Sequence, residues 1–126
     1  MKTITSEWIT KAEADFATAK RELGATAQPN HDAVCFHAQQ CVEKYFKAFL
    51  QESNVAFPKT HDLAALLSLS LTIEPTWSSM TADLNTLSAF AVEYRYPGES
   101  ADSDEAKEAF QKCTNVRQIL RQALQL

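Results

Sequence analysis

The stretch that decides the fold is HDAVCFHAQQCVEKYFKAFLQES, which occupies residues 31–53. Its apolar side chains recur at intervals of three and four, the spacing that places them on one face of an α-helix. That face carries Ala38, Val42, Tyr45, Phe46 and Phe49. Asn30, just before the stretch, is a favourable N-cap. We therefore predict a long amphipathic helix here that lies at the centre of the protein.

Four further segments show helical periodicity. They cover residues 6–23, the stretch after Thr60 that ends before Glu74, and residues 77–94 and 103–124. Thr60 and Ser103 are the predicted N-caps of the third and fifth helices. No segment has a strand pattern, and only two glycines and four prolines interrupt the chain. We predict one all-α domain over residues 1–126, an up-and-down antiparallel bundle of four or five helices.

Composition narrows the class of protein. The net charge of −4 gives an overall field that does not attract nucleic acid, although a local basic strip would do so. The three cysteines form no Cys-x-x-Cys pair, which indicates buried thiols in a reducing compartment. The N-terminus has no apolar signal region, and no stretch approaches the ~18 apolar residues of a membrane span. We expect a cytoplasmic protein without membrane contact.

Three short blocks occur in a fixed order along the chain. They are CFHAQQCVEK at residues 35–44, KTHDL at 59–63 and RYP at 95–97. In this order and spacing they resemble the HEPN family of prokaryotic helical domains. The resemblance implies a helix bundle that is often dimeric and often encoded beside a minimal nucleotidyltransferase. It also implies toxin–antitoxin pairing in some members and nucleotide binding in others.

One family pattern is missing from this sequence. The resemblance implies that many members are metal-independent ribonucleases, whose arginine and acid–base histidine are separated by about four to six residues. The chain has arginines at 21, 95, 117 and 121 and histidines at 31, 37 and 61. No histidine follows an arginine at that spacing. The chain therefore resembles the branch of the family that keeps the fold without the ribonuclease motif.

The second predicted helix also presents a polar strip. His37 and Lys44 lie on it two turns apart, about 10 Å along the axis, with Gln40 beside them. A phosphate-bearing ligand could bridge this strip, with Lys44 as a point charge and His37 as a hydrogen-bonding group. The alternative is an ordinary solvated helix face. The full set of predicted ligand-binding or nucleotide-binding residues is His37, Gln40, Lys44, His61 and Arg95.

Two of these candidates lie outside that helix. His61 stands at the start of the third helix, where its alternative role is helix capping and a hydrogen bond within the Thr60-His61-Asp62 turn. Arg95, between two tyrosines, could clamp a phosphate or stack on a base, or could pair with a neighbouring glutamate. No ligand cluster with recognisable metal-binding spacing is present, so we predict neither a metal nor a cofactor.

Phe36 projects off the main apolar face of the second helix, among Gln39, Glu43 and Lys47. An exposed aromatic side chain there indicates a subunit interface. We predict a homodimer that uses these four residues. The alternative is a position at the edge of the core that a loop covers.

Three functions follow from these observations. The leading one is a non-catalytic binding module that works with a nucleotidyltransferase-type partner and binds nucleotide through His37, Lys44 and Arg95. The second is a ribonuclease toxin with a non-standard site, in which His37 or His61 is the acid–base group and Arg95 stabilises the phosphorane charge. The third is a purely structural dimer or scaffold.

Overall fold

The helices of the computed structural model begin and end close to the predicted positions. The structure describes residues 1–94 and 96–126, and within them the chain forms helices and connections but no strand. The elements are α1 (Thr3–Leu23), α2 (His31–Glu52), α3 (Leu63–Ser70), a 3-10 helix (Pro75–Met80), α4 (Thr81–Glu93) and α5 (Ser103–Ala123). The all-α prediction is confirmed. No helix in this described part is both long and apolar enough to cross a membrane.

The helix α2 lies at the centre of the bundle, as its sequence predicts. Asn30 caps it, because its side-chain oxygen accepts a hydrogen bond from the Ala33 N–H at 3.0 Å. The helix packs against α1, α3, α4 and α5. All five apolar residues of the predicted face are buried. The same periodicity that predicts the helix therefore also explains its place in the core.

Hydrogen bonds fix the direction of the first helix pair. Thr5, near the start of α1, donates to Glu52 at the end of α2 over 2.9 Å. Further along α1, Glu13 accepts from the Tyr45 hydroxyl in the middle of α2 at 2.8 Å. As the residue number increases along α1, the number of the contacted residue in α2 therefore decreases. The two helices are antiparallel.

The helix α5 runs parallel to α2 and antiparallel to α4. Asp32 at the start of α2 accepts from the Ala101 N–H just before α5, and Arg121 near the end of α5 donates to Tyr45. The contacts between α4 and α5 run in opposite directions. Tyr94 at the end of α4 donates to Glu105 at the start of α5, and the Lys112 ammonium further along α5 lies 3.2 Å from a carboxylate oxygen early in α4. The long helices α1, α2, α4 and α5 therefore alternate in direction, and the up-and-down bundle is confirmed.

The predicted fourth helix is divided into two elements. Its first turn belongs to the 3-10 helix, and the α-helix begins only at Thr81. Pro75 opens this turn, and the Trp77 N–H donates to the Glu74 carbonyl in the short i→i+3 pattern. The Trp77 ring is buried against Phe46 and Phe49, with ring centroids 6.0 and 4.6 Å away. Core packing of one large ring thus sets the tighter turn.

Two predicted N-caps are wrong by one or two residues. Asp62, not Thr60, caps α3, since its carboxylate accepts from the Ala64 N–H at 3.0 Å. Asp102, not Ser103, caps α5, where it forms a reciprocal capping box with Glu105. In both cases a carboxylate beside the predicted hydroxyl satisfies the first backbone donors and also complements the helix dipole.

Candidate functional site

The helices α2 and α4 enclose two neighbouring cavities, and Phe36 and Ala91 line both of them. We name this surface the α2–α4 groove. The first cavity has a volume of about 100 Å³ and is also lined by Gln39, Gln40, His61, Ser88 and Val92. The second has a volume of about 300 Å³ and is also lined by Asn30, Asp32, Ala33, His37 and Tyr94. Three of the predicted ligand-binding residues therefore reach one continuous surface.

The polar strip of α2 is neutralised from within the protein. Nδ1 of His37 donates to one carboxylate oxygen of Asp15 at 2.7 Å, and Nζ of Lys44 donates to the other at 2.5 Å. Asp15 belongs to α1 and is only 8% exposed. The strip predicted to hold a phosphate thus already holds a carboxylate. A phosphate would have to compete with Asp15 for both of these hydrogen-bond donors.

Glu43 is the centre of a second charged cluster. This residue is 2% exposed, and its carboxylate accepts from Nδ1 of His61 at 2.9 Å and from Nζ of Lys47 at 3.1 Å. Nε2 of Gln39 also donates to it at 3.3 Å and to the His61 carbonyl at 3.2 Å. The buried carboxylate is therefore matched by the Lys47 ammonium and by further hydrogen-bond donors, as burial of a charge requires.

The predicted subunit interface needs a correction. Gln39, Glu43 and Lys47 are buried inside the chain rather than displayed on its surface. The loop that carries His61 covers one side of them, and the Trp8 ring of α1 covers Lys47, whose Nζ lies 5.3 Å from the ring centroid. Phe36 alone of the four is exposed, at 37%. The interface stays a prediction that now depends on Phe36.

Gln40 and His61 come together as lining residues of the first cavity. Nε2 of Gln40 donates to the side chain of Gln39 at 2.8 Å, which fixes the amide beside the cavity. The His61 side chain is 77% exposed, and it does not cap α3, since Asp62 does so. His61 therefore combines solvent access with a buried carboxylate partner. The predicted ligand residue Arg95 lies outside the described residues.

Asp15 is not among the site residues predicted from the sequence. A usable signal was nevertheless present, because Asp15 lies three residues after Ala12 and four before Ala19, within the apolar stripe of α1. Both alanines are fully buried. A buried carboxylate in such a stripe requires hydrogen-bond donors or a cation from elsewhere in the fold, and His37 and Lys44 are those partners.

Glu13 ties three helices together on the far side of the strip. The Arg117 guanidinium donates to it twice, at 2.7 and 2.6 Å, and the Tyr45 hydroxyl donates at 2.8 Å. The hydrogen bond from Arg117 holds the pKa of Glu13 below its ordinary value. Burial raises the pKa of Tyr45 to about 12, so its hydroxyl stays protonated as a donor. This cluster joins α1, α2 and α5 and has a structural role.

The two histidines of the groove share one chemical arrangement. In each, Nδ1 is held by a carboxylate, so Nε2 is the nitrogen directed to other partners. A carboxylate at Nδ1 fixes the tautomer and orientation of an imidazole that acts as an acid–base group or as a metal ligand. Among residues 1–94 and 96–126, no three His, Cys, Asp or Glu side chains are grouped so as to hold a metal ion.

Comparisons with known proteins agree on the fold. The family model described as HEPN domain matches residues 5–123. The crystal structure of ST0689, an archaeal HEPN homologue, is similar to this chain with a TM-score of 0.70 and 22% sequence identity. The similarity covers 98% of each chain. No curated protein sequence matches this chain.

Proposed function

Because this chain belongs to the HEPN family, we propose that it is a dimeric binding module that acts with a nucleotidyltransferase-type partner protein. The observation that carries the proposal is the apolar surface at the α2–α4 groove. Phe36 and Val92 are 37% and 58% exposed there, on either side of the first cavity. Exposed apolar side chains beside a cavity are typical of a surface that another protein covers.

The shape of this surface supports a second copy of the chain as its partner. Phe36 stands between two cavities, so the groove offers both a projecting ring and adjacent space for one. A two-fold interface requires such self-complementarity, because the same patch contributes to both sides. The charges beneath the groove are paired internally, Asp15 with His37 and Lys44, and Glu43 with Lys47. Interface centres are similarly depleted in unpaired charge.

Light scattering tests the dimer directly. We expect a mass near twice the 14.1 kDa of one chain. Phe36→Asp should shift the mass towards that of one chain, because burial of a carboxylate against a second copy is unfavourable. Ile73→Asp is the matched control, since Ile73 is also exposed but does not line the groove. A wild-type mass of one chain at all concentrations would contradict the dimer.

The nucleotidyltransferase-type partner is supported by family membership and by the missing arginine–histidine spacing. The absence of that spacing favours a role in binding a partner protein over a role in RNA cleavage. The test is co-purification of the tagged chain with the nucleotidyltransferase encoded beside it. Growth arrest by either protein alone, relieved by the other, would support a toxin–antitoxin pair. Absence of any nucleotidyltransferase from both the neighbouring genes and the purified complex would contradict the proposal.

Nucleotide binding is the remaining part of the proposal. Gln40 and His61 supply an amide and an imidazole beside the aromatic ring of Phe36, and His37 and Lys44 lie further along α2. A thermal shift with millimolar ATP or GTP tests this part. The shift should disappear in His61→Ala and persist in His31→Ala. No shift with either nucleotide would remove nucleotide binding from the proposal and leave the protein partner.

A ribonuclease is the second candidate function, because His37 and His61 are both oriented by carboxylates. One imidazole would remove the proton of a ribose 2′-hydroxyl and the other would protonate the leaving oxygen. Incubation of purified protein with total cellular RNA tests it, with His37→Ala, His61→Ala and, as control, His31→Ala. Cleavage lost only in the first two variants would favour the enzyme over the binding module.

A further inference from the structure

A separate cleft lies near the other end of α2. It has a volume of about 560 Å³ and opens between the start of α1 and the connection from α2 to α3. Its apolar lining consists of Ile4, Trp8, Val55, Ala56 and Phe57, and its polar lining of Gln51, Asn54 and Lys59. A cleft of this size with aromatic walls and few polar groups has the general form of a binding site.

The aromatic wall of the cleft is held in place. The edge of Phe57 packs on Trp8, with centroids 6.3 Å apart and ring planes at 62°. The Lys47 ammonium lies 5.3 Å from the Trp8 ring, and its own position is fixed by Glu43. Trp8 is nevertheless only half-buried. The indole therefore presents an ordered apolar surface to whatever enters.

An unpaired backbone edge borders the same cleft. Residues 55–58 form no helix, and the Val55 N–H donates to the Leu50 carbonyl at 2.9 Å, which closes the end of α2. Beyond it, no hydrogen bond within the described part of the chain reaches the N–H of Ala56 or of Phe57. An extended peptide can satisfy one of these groups by adding alongside it while its side chains fill a neighbouring pocket, since successive N–H groups of an extended chain point to opposite sides.

The charged residue of the cleft lining indicates which chemical groups a bound segment should carry. Lys59 is the one charged residue of its lining, it is exposed, and no ion pair holds it within residues 1–94 and 96–126. By contrast, the Lys2 ammonium is already bound to the Gln51 carbonyl and the Asn54 side chain. Lys59 thus supplies the charge of the cleft lining, in a chain whose net charge is −4. An acidic group on the occupant would complement it.

We propose that this cleft binds an extended segment of a partner protein in which an apolar side chain adjoins an acidic one. The apolar side chain packs against Trp8 and Phe57, the acidic one pairs with Lys59, and the peptide backbone accepts a hydrogen bond from the Ala56 N–H. This site shares no lining residue with the α2–α4 groove. It does not rest on the proposed function of that groove.

Selection from a phage-displayed library of random heptapeptides on the immobilised full chain tests the proposal. We expect enriched peptides that combine an aromatic or large aliphatic residue with an adjacent Asp or Glu. The best of them is then made as a fluorescent peptide and titrated by anisotropy. Lys59→Glu should weaken its binding by about tenfold or more, as loss and reversal of one charge contact predicts.

Matched variants separate the cleft from other surfaces. Lys107→Glu makes the same charge change at an exposed lysine outside the cleft and should leave the affinity unchanged. Ala56→Pro removes one backbone donor without a polar side-chain change and should weaken binding. Phe36→Asp, which tests the groove, should have no effect. The proposal is overturned if no sequence is enriched, if enriched sequences lack acidic residues, or if Lys59→Glu and Lys107→Glu act alike.

Discussion

The Asp15 carboxylate lies 2.7 Å from Nδ1 of His37, although 22 residues and a helix connection separate them in the sequence. The same carboxylate also binds Lys44. One residue of α1 thus decides whether the polar strip of α2 is an open anion site or an internal ion pair. In the structure the strip is paired internally with Asp15, and the effect of this pairing on stability can be measured.

Asp15→Ala should destabilise the fold by about 2 kcal/mol, between the values for buried and exposed ion pairs, because His37 and Lys44 keep partial solvent access. Chemical denaturation measures the change. Glu7→Ala is the control, since Glu7 is exposed on the same helix. Equal effects of the two substitutions would mean that the Asp15 contacts contribute little.

The buried pair of Glu43 and Lys47 predicts a non-additive result. Glu43→Leu and Lys47→Met should each destabilise the protein by about 3 kcal/mol, because each leaves the other charge in a buried site without its counter-charge. The double variant Glu43→Leu with Lys47→Met should recover most of that loss. His61→Ala should cost less than about 1 kcal/mol, since its side chain is mainly exposed. A double-mutant cycle without coupling would refute this account.

The contacts of Glu13 should affect how the stability of the protein changes at acidic pH. The hydrogen bond from Arg117 lowers the pKa of Glu13 below its ordinary value of 4.5. A lowered folded-state pKa stabilises the fold above the unfolded value, and the contribution disappears as pH falls through the folded value. Glu13→Gln should therefore lower stability at neutral pH by about 1–2 kcal/mol. The stability of Glu13→Gln should also fall less steeply than that of the wild type as the pH falls below 4.5.

Denaturation curves across this pH range provide the measurement. Glu7→Gln is the matched control and should keep the wild-type pH dependence, because Glu7 is exposed and lies in no ion pair within the described part of the chain. If the free energy of unfolding of Glu13→Gln depends on pH in the same way as that of the wild type, the Arg117 contact does not determine the loss of stability in acid.

The N-cap of α5 distinguishes two neighbouring residues. Asp102→Ala should destabilise the protein by about 1 kcal/mol, because the capping box loses its acceptor for the Glu105 N–H. Ser103→Ala should change stability by less than about 0.5 kcal/mol, since Ser103 is the first helical residue. Thermal unfolding of both variants checks this prediction. The reverse order would restore Ser103 as the cap.

The three cysteines should be unreactive in the folded protein. Cys35, Cys41 and Cys113 are all fully buried. Burial raises the pKa of Cys35 to about 12, and a hydrogen bond to Cys113 together with burial raises the pKa of Cys41. Because the thiolate is the reactive form, Ellman's reagent should react at least about tenfold more slowly with the native protein than with the urea-unfolded chain. Rapid labelling of the native protein would contradict this packing.

The sequence by itself determined the helices and the central position of α2. Both depend on local regularities, namely apolar spacing over one segment and a capping residue at its start, which act within a few residues. The sequence located the N-caps of α3 and α5 only to within one or two residues. At the start of α5, for example, Asp102 and Ser103 are both good caps, and only the capping box with Glu105 distinguishes them.

Only the tertiary structure decided which charges are available to a ligand. When α2 is considered alone, His37 and Lys44 form an accessible polar strip and Glu43 is an exposed residue. The carboxylate that neutralises the first two comes from α1, and the loop that buries the third comes from beyond the end of α2. A helical pattern specifies the direction of a side chain, but its burial and its partners depend on the distant segments that pack there.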